Sequence, residues 1–597
     1  MKRYRMREQM PAELAGGPEN VRAIFPQHSA LLQDLLYGRG ITSAEDAERF
    51  LNPRFDAVQS DNGDEQADGG SDSHDPMLLP DMEKAVERIL LAAKTGEKIC
   101  VWSDYDCDGI PGGVLLSEFL RDVGLSVVHY IPHRHKEGYG LNKVGLKELR
   151  ERGVTLVITV DLGTTNVDEV AYANELGIDV IITDHHLVAE QLPPAFAVIN
   201  PKRPDSQYPF DGLCGAGVAW KLVQGVLQKI RMEGNPFDLP AVMTGYAQGR
   251  EKWLLDLVGI ATLSDMVPLV GENRMLARYG LLVMKKNRRP GLAALLSLLR
   301  IKPAMLTEDD IGFMIAPRIN AASRMDSPQL AASLLAAKNS DDAREFAQAL
   351  SAVNDERKTV VALTVKEVNK RLATSDLADA PIIVMGNPNW RPGVLGLVAN
   401  SLMQAHGKPV FLWGREGGED DVIRGSCRSA GDVSVVEIMQ GAADIFAHFG
   451  GHTASGGFSL TQERVHELLP RLVASHALLP AVASDEIEIL IDRELQLAEV
   501  SHAHRELPKL APFGVGNHKP LFRIPRVTIG VIKIFGKAKD HLEVMLTQDD
   551  ARATGIAFFS TPESFQKTLV EGALVDIIGH VETDWRGGPR VRVVDVI

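Results

Sequence analysis

The chain has 597 residues, 45% of them hydrophobic and 24% charged, a composition typical of soluble globular proteins with several domains. Its 64 Lys and Arg against 79 Asp and Glu give a net charge of −15, which argues against a protein that coats nucleic acid through charge alone. Four cysteines, none spaced C-x-x-C, exclude a disulfide framework. Without a long apolar run or a signal-peptide core, we expect a cytoplasmic protein that does not contact a membrane.

One acidic segment interrupts the N-terminal region. Residues 56–76, DAVQSDNGDEQADGGSDSHDP, carry seven acidic side chains and neither Lys nor Arg. Such a segment can bury almost no apolar surface, so we expect a disordered loop.

The region after this segment alternates apolar strands with amphipathic helices. Strands are predicted at 98–103, 125–131, 155–160, 179–183 and 195–200, with helices near 112–123, 142–152 and 166–176. This alternation indicates βαβ units and a parallel sheet, whose ligands bind beyond the carboxyl ends of its strands.

The second half of the chain repeats the α/β pattern after a helical stretch. Residues 328–376, rich in Ala and Leu, predict one long connecting helix. Strands at 381–385 and 408–413 flank a helix at 393–406, and the tail from about 520 reads as a small β-barrel.

Acidic and imidazole side chains follow three of the predicted strands. Asp104, Asp106 and Asp108 come after the first strand, and Asp161 follows the strand at 155–160. Asp184, His185 and His186 follow the next strand. Each acid alone suits a turn, but together they would repel one another without a cation. Oxygen and imidazole ligands favour Mn²⁺ or Mg²⁺, and several carboxylates with one shared acid are typical of a two-metal phosphoesterase.

A calcium loop of the EF-hand type is the competing interpretation of D-x-D-x-D-G. Its twelfth position, counted from Asp104, is Leu115 rather than Glu, and a strand precedes the motif where an EF-hand has a helix. The motif therefore does not indicate an EF-hand.

These motifs carry a family resemblance. TDHH with an upstream D-x-D-x-D-G resembles the DHH phosphoesterase superfamily. Further segments resemble, in the same order, its RecJ family of single-strand-specific 5′→3′ exonucleases. They are FLNPRF, DPMLLPDMEKAVERI, RHKEGYGL, LVGIATLSDMVPL, GFMIAPRINAASRMD, NWRPGVLGLVAN, GSCRS, FGGHTASGG and PFGVGNHKPLF.

The resemblance implies an α/β fold with a DHH parallel-sheet domain, a second DHH-associated α/β domain and a C-terminal OB-like barrel. The implied boundaries are an N-terminal segment at 1–82, the DHH domain at 83–327, a connecting helix at 328–377, the DHH-associated domain at 378–477 and the barrel with its leading linker at 478–597.

The resemblance also assigns roles to individual residues. The implied ligands of two Mn²⁺ or Mg²⁺ ions are Asp104, Asp106, Asp108, Asp161, His185 and Asp265, with Asp161 bridging. His186 would contact the scissile phosphate and complete the catalytic set. The implied substrate-binding residues, of which Arg134, Ser426 and Arg428 would hold a 5′ phosphate, are Arg134, Arg318, Asn320, Arg324, Ser426, Arg428 and His452.

The tail adds a nucleic-acid-binding surface to this expectation. Basic side chains interleaved with aromatic ones suit single-stranded DNA, which is bound by stacking and phosphate contacts. We expect this role for Lys533, Lys537, Lys539, Trp585 and Arg586. The implied setting is DNA repair and recombination, by a monomer acting with single-strand-binding protein and a helicase.

Several residues depart from the family pattern near the expected site. Leu162 stands where relatives carry an amide, Cys107 replaces a small residue, and Pro111 replaces a hydroxyl side chain. Two rival functions therefore stay open. One is a phosphoesterase for short oligonucleotides, and the other is a catalytically weakened scaffold that binds DNA.

Overall fold

The computed structural model describes residues 3–7, 26–55, 71–134, 137–232, 241–325, 327–375, 380–415, 422–430, 433–480, 488–536 and 539–597. Contacts divide the chain into two units. One comprises Met1–Asp75, Met266–Tyr279 and Asp485–Ile597, and the other comprises Pro76–Asp265 and Gly280–Ser484. Across the described ranges, no helix combines the length and apolar character needed to span a membrane.

The N-terminal region contributes a strand and two helices to the first unit. They are β1 (Arg3–Met6), α1 (Ala30–Tyr37) and α2 (Ala44–Leu51). Ser29 and Ser43 cap the two helices by accepting backbone N–H bonds at their N-termini. Most of the acidic segment, residues 56–70, lies outside the described residues. At its end, the Asp72 carboxylate accepts hydrogen bonds from Arg49 and the backbone of Arg54.

A five-stranded parallel sheet in the order β3-β2-β4-β5-β6 opens the second unit. Four of its strands are almost entirely buried, as expected when helices cover both faces of a parallel sheet, whereas the edge strand β3 is partly exposed. The predicted alternation of strands and helices is confirmed. The elements are α3 (Met82–Thr95), β2 (Lys98–Ser103), α4 (Gly109–Asp122), β3 (Ser126–Tyr130), α5 (Lys143–Glu151), β4 (Val154–Val160), α6 (Val167–Glu175), β5 (Asp179–Thr183) and β6 (Ala197–Ile199).

A helical region follows the sheet, and here one prediction is wrong. Two helices occupy the stretch expected to form one, with a break at 337–339. The Asn339 side chain accepts N–H bonds from Asp341 and Asp342 and so starts a new helix, which an Ala-rich composition does not reveal. The helices are α7 (Gly215–Met232), α8 (Ala241–Thr244), α9 (Leu255–Ser264), α10 (Gly271–Lys285), α11 (Pro290–Leu298), α12 (Glu308–Asp310), α13 (Ala316–Arg324), α14 (Pro328–Ala336) and α15 (Ser340–Leu372), with a π-helical turn at Ile311–Ile315.

A second sheet has the order β10-β11-β9-β8-β7, in which only β7 and β8 are parallel. Its hydrophobic core lies partly under α17 and α18. The elements are β7 (Ile383–Gly386), α16 (Pro392–His406), β8 (Val410–Arg415), β9 (Val422–Arg428), α17 (Val435–Gln440), β10 (His448–His452), β11 (Ser455–Thr461) and α18 (Val465–Leu478).

The C-terminal strands close into a barrel, as predicted. The long strand β14 pairs with both β15 and β17, while β16 and β17 both pair with β18. The N-terminal helices α1 and α2 share the barrel's hydrophobic core, and β1 pairs with β12. The elements are β12 (Glu488–Ile491), β13 (Arg493–Glu494), α19 (Val500–Glu506), β14 (Phe522–Phe535), β15 (His541–Gln548), β16 (Ala551–Phe558), β17 (Leu574–Thr583) and β18 (Pro589–Val596).

Candidate metal centre and substrate site

The ends of three neighbouring strands bring acidic side chains to one edge of the parallel sheet. Asp104, Asp161 and Asp184 each extend a strand by one residue. Their N–H groups donate, in that order, to the carbonyl oxygens of Val160, Thr183 and Ile199. The hydrogen-bonding ladder therefore places the three carboxylates side by side.

His185 lies at the centre of a carboxylate cluster. Its Nε2 is 3.2 Å from an oxygen of Asp161 and 3.7 Å from oxygens of both Asp108 and Asp265. Asp265 is the C-terminal capping residue of α9 and reaches the sheet edge from outside the βαβ units. These four side chains converge as the ligands of a single cation would.

A second group of ligand atoms overlaps the first. One oxygen each from Asp104, Asp106 and Asp161 lies within 4.8 Å of the others. Asp161 thus belongs to both groups, which is the arrangement of a bridging carboxylate. Asp104 Oδ1, Asp161 Oδ1 and His185 Nδ1 are buried without a hydrogen-bond partner, and a buried polar atom is costly unless something binds it.

The electrostatics of the cluster favour a bound cation. Burial and the neighbouring acids raise the pKa of Asp104 and Asp161. The same two causes raise the pKa of Asp108 to about 7 and that of Asp265 to about 9. Burial, then the nearby His186, lowers the pKa of His185 to about 4, so this ring is neutral and able to ligate. Divalent cations would remove the repulsion between the carboxylates that contributes to raising their pKa values.

The start of helix α7 supports Asp108. The N–H groups of Gly215 and Ala216 donate to its two oxygens at 2.6 and 2.8 Å. A helix N-terminus stabilises a carboxylate in this way. Gly215 also allows the close approach, since a Cβ there would lie 2.5 Å from the Cβ of Asp161.

Asp184, for which the sequence indicated no role of its own, contacts His186 directly. Its Oδ1 lies 2.7 Å from Nδ1 of His186, and its other oxygen accepts the N–H of Thr164 at 2.9 Å. Burial alone would raise the pKa of Asp184, but these hydrogen bonds outweigh burial and lower it. The hydrogen bond that His186 donates to Asp184 in turn raises the pKa of His186. The acid therefore orients the ring and stabilises its charged form.

Asn320 holds in place the loop at residues 104–108, called here the metal-binding loop because it carries Asp106 and Asp108. Its Oδ1 accepts the backbone N–H of Cys107 at 2.9 Å, and the Ser264 hydroxyl donates to the Cys107 carbonyl. The Cys107 thiol is buried, and burial raises its pKa, so it stays protonated. Asn320 thus positions the loop between Asp106 and Asp108.

The fold accommodates two of the residues that depart from the family pattern, Leu162 and Pro111. The Leu162 side chain is fully buried in the hydrophobic cluster on one face of the parallel sheet. Pro111 lies in the first turn of α4, where its missing N–H costs little. Neither position removes a side chain of the metal cluster.

Arginines from several elements lie near one another beside the metal-binding loop. Arg324 is partly buried and donates to the Gly393 carbonyl at 3.1 Å. Burial, then the charges of Arg134, Arg357 and Arg428, lowers its pKa to about 9. Such a concentration of guanidinium groups favours a phosphate. The sequence analysis missed Arg357 because nothing in its helical context marks it.

Three further residues, Ser426, His452 and Arg318, are expected to bind substrate. Ser426 lies two residues from Arg428 on β9, and His452 is exposed at the end of β10. Arg318 is buried and donates to Ser351 Oγ and the Met314 carbonyl. Its Nε and Nη1 are therefore bound within the helical region, and its contact with substrate stays a prediction.

Tyr139 is a further residue beside the site. Its ring stands edge-on to His186, with centroids 6.1 Å apart, and edge-on to Tyr105 at 6.5 Å. Arg134 lies over the Tyr105 ring at 4.9 Å. An exposed aromatic next to a phosphate site suits a stacked base.

The expected nucleic-acid-binding residues of the barrel that the structure describes are exposed. Trp585 is 82% exposed, and the Arg586 guanidinium stacks on it at 4.4 Å. Lys533 is ion-paired with Glu543 at 3.0 Å, and Lys539 is exposed. Lys537 lies outside the described residues.

Comparisons with known proteins agree with this architecture. The model of the DHH family, N-terminal domain, matches residues 98–247, and that of the DHHA1 domain matches 379–475. The model of the RecJ OB domain matches 491–594. Fold and site together define a protein of the DHH class.

Individual relatives narrow the class to one family. The single-stranded-DNA-specific exonuclease RecJ of Bacillus subtilis (strain 168) is 32% identical over 95% of this chain and 67% of the relative. RecJ of Escherichia coli (strain K12) is 31% identical over 82% of each chain. The crystal structure of RecJ in complex with Mn²⁺ from Thermus thermophilus superposes with a TM-score of 0.78 and 26% identity, over the whole of this chain and 79% of that one. The chain belongs to the RecJ family.

Proposed function

We propose that this protein is a single-stranded-DNA-specific exonuclease that releases nucleotides in the 5′→3′ direction. The observation that carries the proposal is the double group of ligand atoms that shares Asp161, with His186 beside it. That arrangement suits hydrolysis of a phosphodiester, and the named relatives act on single-stranded DNA.

Two Mn²⁺ or Mg²⁺ ions are the cofactors that fit this site. We assign one to Asp108, His185, Asp265 and Asp161, and the other to Asp104, Asp106 and Asp161. When bound, such ions lower the pKa of a water and neutralise charge on the phosphate. The oxygen-rich ligand set and the buried thiol of Cys107 disfavour a thiolate-type zinc site.

The protein's own groups orient the substrate. His186 has its Nδ1 held by Asp184, so its Nε2 is left to donate to an oxygen of the scissile phosphate. The hydrogen bond to Asp184 raises the pKa of His186 and so favours the charged form of the ring, which suits this contact. Arg134, Ser426 and Arg428 would bind the terminal 5′ phosphate, with Arg324 completing the pocket. A phosphate pocket at a fixed distance from the ions would place the bond that is cleaved one nucleotide from the 5′ end.

The cellular setting follows from this activity. We propose a monomer that acts in the cytoplasm in DNA repair and recombination, on strands made available by a helicase and covered by single-strand-binding protein. The domain boundaries given above, with a DHH domain at 83–327 and an OB-like domain at 478–597, belong to the same proposal.

The direct test is cleavage of a long oligonucleotide labelled at its 3′ end, single-stranded and duplexed in parallel, with Mn²⁺. We expect labelled products that shorten from the 5′ end on the single strand alone, and none with Asp161→Ala. Degradation of short oligoribonucleotides alone would instead indicate another type of DHH phosphoesterase. Binding of DNA without cleavage would indicate a scaffold.

A further inference from the structure

Phe559 is an exposed aromatic side chain in an unusual backbone conformation. It directly follows β16, is 82% exposed and has a φ of +53°. A bulky residue in the left-handed region is strained, and such strain is concentrated at functional sites. Burial in the barrel core therefore does not explain this phenylalanine.

The turn that carries Phe559 is held by hydrogen bonds. The N–H of Phe559 donates to Nδ1 of His541 at 3.0 Å, and the N–H of Ser560 donates to the Asp540 carbonyl at 2.7 Å. The Ser560 hydroxyl donates back to the Phe558 carbonyl. The ring is thus presented from a fixed turn, which reduces the entropy lost when a ligand stacks on it.

Other aromatic rings surround this position. His541 stands edge-on to Phe559, with centroids 4.9 Å apart, and edge-on to Phe535 at 5.3 Å. Phe535 is itself 39% exposed. Lys539 is exposed, comes two residues before His541 in the chain and forms no ion pair with any residue that the structure describes, so its charge is available to a phosphate.

We propose that Phe559, His541 and Phe535 form a binding subsite for an unpaired nucleobase, with Lys539 contacting the neighbouring phosphate. The proposal rests on single-stranded DNA as the substrate. Aromatic faces next to a free cation are what a single strand requires, because every base has a face that stacks and every nucleotide carries a negative charge.

The test compares binding of the full-length protein to a labelled single-stranded 30-mer and to an abasic strand of the same length, without divalent ions. Removing one base–aromatic stack weakens binding by roughly 5- to 150-fold. We expect that loss for Phe559→Ala on the 30-mer and less than a twofold change on the abasic strand. Phe559→Trp should retain wild-type affinity.

A second variant separates stacking from a structural role. Phe559→Gly relieves the left-handed strain, so the unfolding temperature should stay equal or rise while affinity for the 30-mer falls. Val570→Ala, which trims another exposed side chain of the same unit, is the matched control and should bind normally.

Unchanged affinity of Phe559→Ala and Phe559→Gly would overturn the subsite and assign the aromatic surface to another partner. Equal losses on both strands would also overturn it, because they indicate phosphate contacts or misfolding. Cleavage by the wild-type protein with Mn²⁺ is measured separately. Binding through Phe559 without cleavage would refute the nuclease proposal and leave the subsite standing.

Discussion

Replacing Asp184 by Asn tests how the protein uses His186. The Asp184 carboxylate accepts from His186 Nδ1 at 2.7 Å and is 1% exposed, so solvent does not weaken the interaction. A hydrogen bond to a charged group contributes about 1.5–3 kcal/mol, which corresponds to about a 10- to 150-fold change in rate. We expect a single-turnover cleavage rate reduced by that factor.

Asp184→Asn should also change how the cleavage rate depends on pH. A raised pKa keeps His186 protonated to higher pH, so the wild-type rate should fall as pH rises through that pKa. Asp184→Asn removes the negative partner, so the pKa falls towards the ordinary value and the decline starts at lower pH.

Other measurements show whether Asp184 acts through His186. Asp184 also accepts the N–H groups of His185 and Thr164, so Mn²⁺ affinity and the unfolding temperature of the variant are measured alongside the rate. In a His186→Ala background, Asp184→Asn should cost little further activity, because coupled residues are not additive. A variant with the wild-type rate and pH profile, or with losses that add fully to those of His186→Ala, would refute this reasoning.

Three further predictions concern the metals and the strand end. Asp161→Ala should abolish hydrolysis without unfolding the protein, as followed by circular dichroism, and near-normal turnover would contradict the shared-ligand model. Arg428→Ala should lower kcat/KM for 5′-phosphorylated DNA by about 10- to 100-fold, the worth of a charge-assisted hydrogen bond, with a smaller loss on unphosphorylated ends. Equal losses on the two ends would argue against phosphate recognition. An acid whose pKa is raised by folding favours the folded state at a pH below its pKa in the unfolded chain, which is about 4. This contribution to stability is lost as the pH rises through the pKa in the folded state, which is about 7 for Asp108 and about 9 for Asp265. The increase in unfolding temperature that Mg²⁺ produces should therefore grow from pH 6 to pH 9. Asp265→Asn should stabilise the metal-free protein at pH 9. An increase that does not depend on pH would contradict the raised pKa values of these acids.

Local pattern was enough to predict the parallel sheet and the edge at which its polar residues meet. Apolar runs ending in SDYDCDG, VDLG and TDHH indicate strands followed by acids, and parallel strands bring such acids together. The barrel followed from short alternating strands. The break at Asn339 was missed because one capping side chain outweighs the helical propensity around it.

Side-chain direction was decided only by the tertiary structure. Arg318 and Arg324 lie six residues apart on α13, yet one donates to Ser351 and the other reaches the Gly393 carbonyl. Leu162 stands where relatives carry an amide, and the sheet places its side chain in the core. The pairing of Asp184 with His186 likewise depends on the turn after β5. Sequence determines which residues follow a strand or lie on a helix, whereas the packing of elements far apart in the chain determines where each polar group finds its partner.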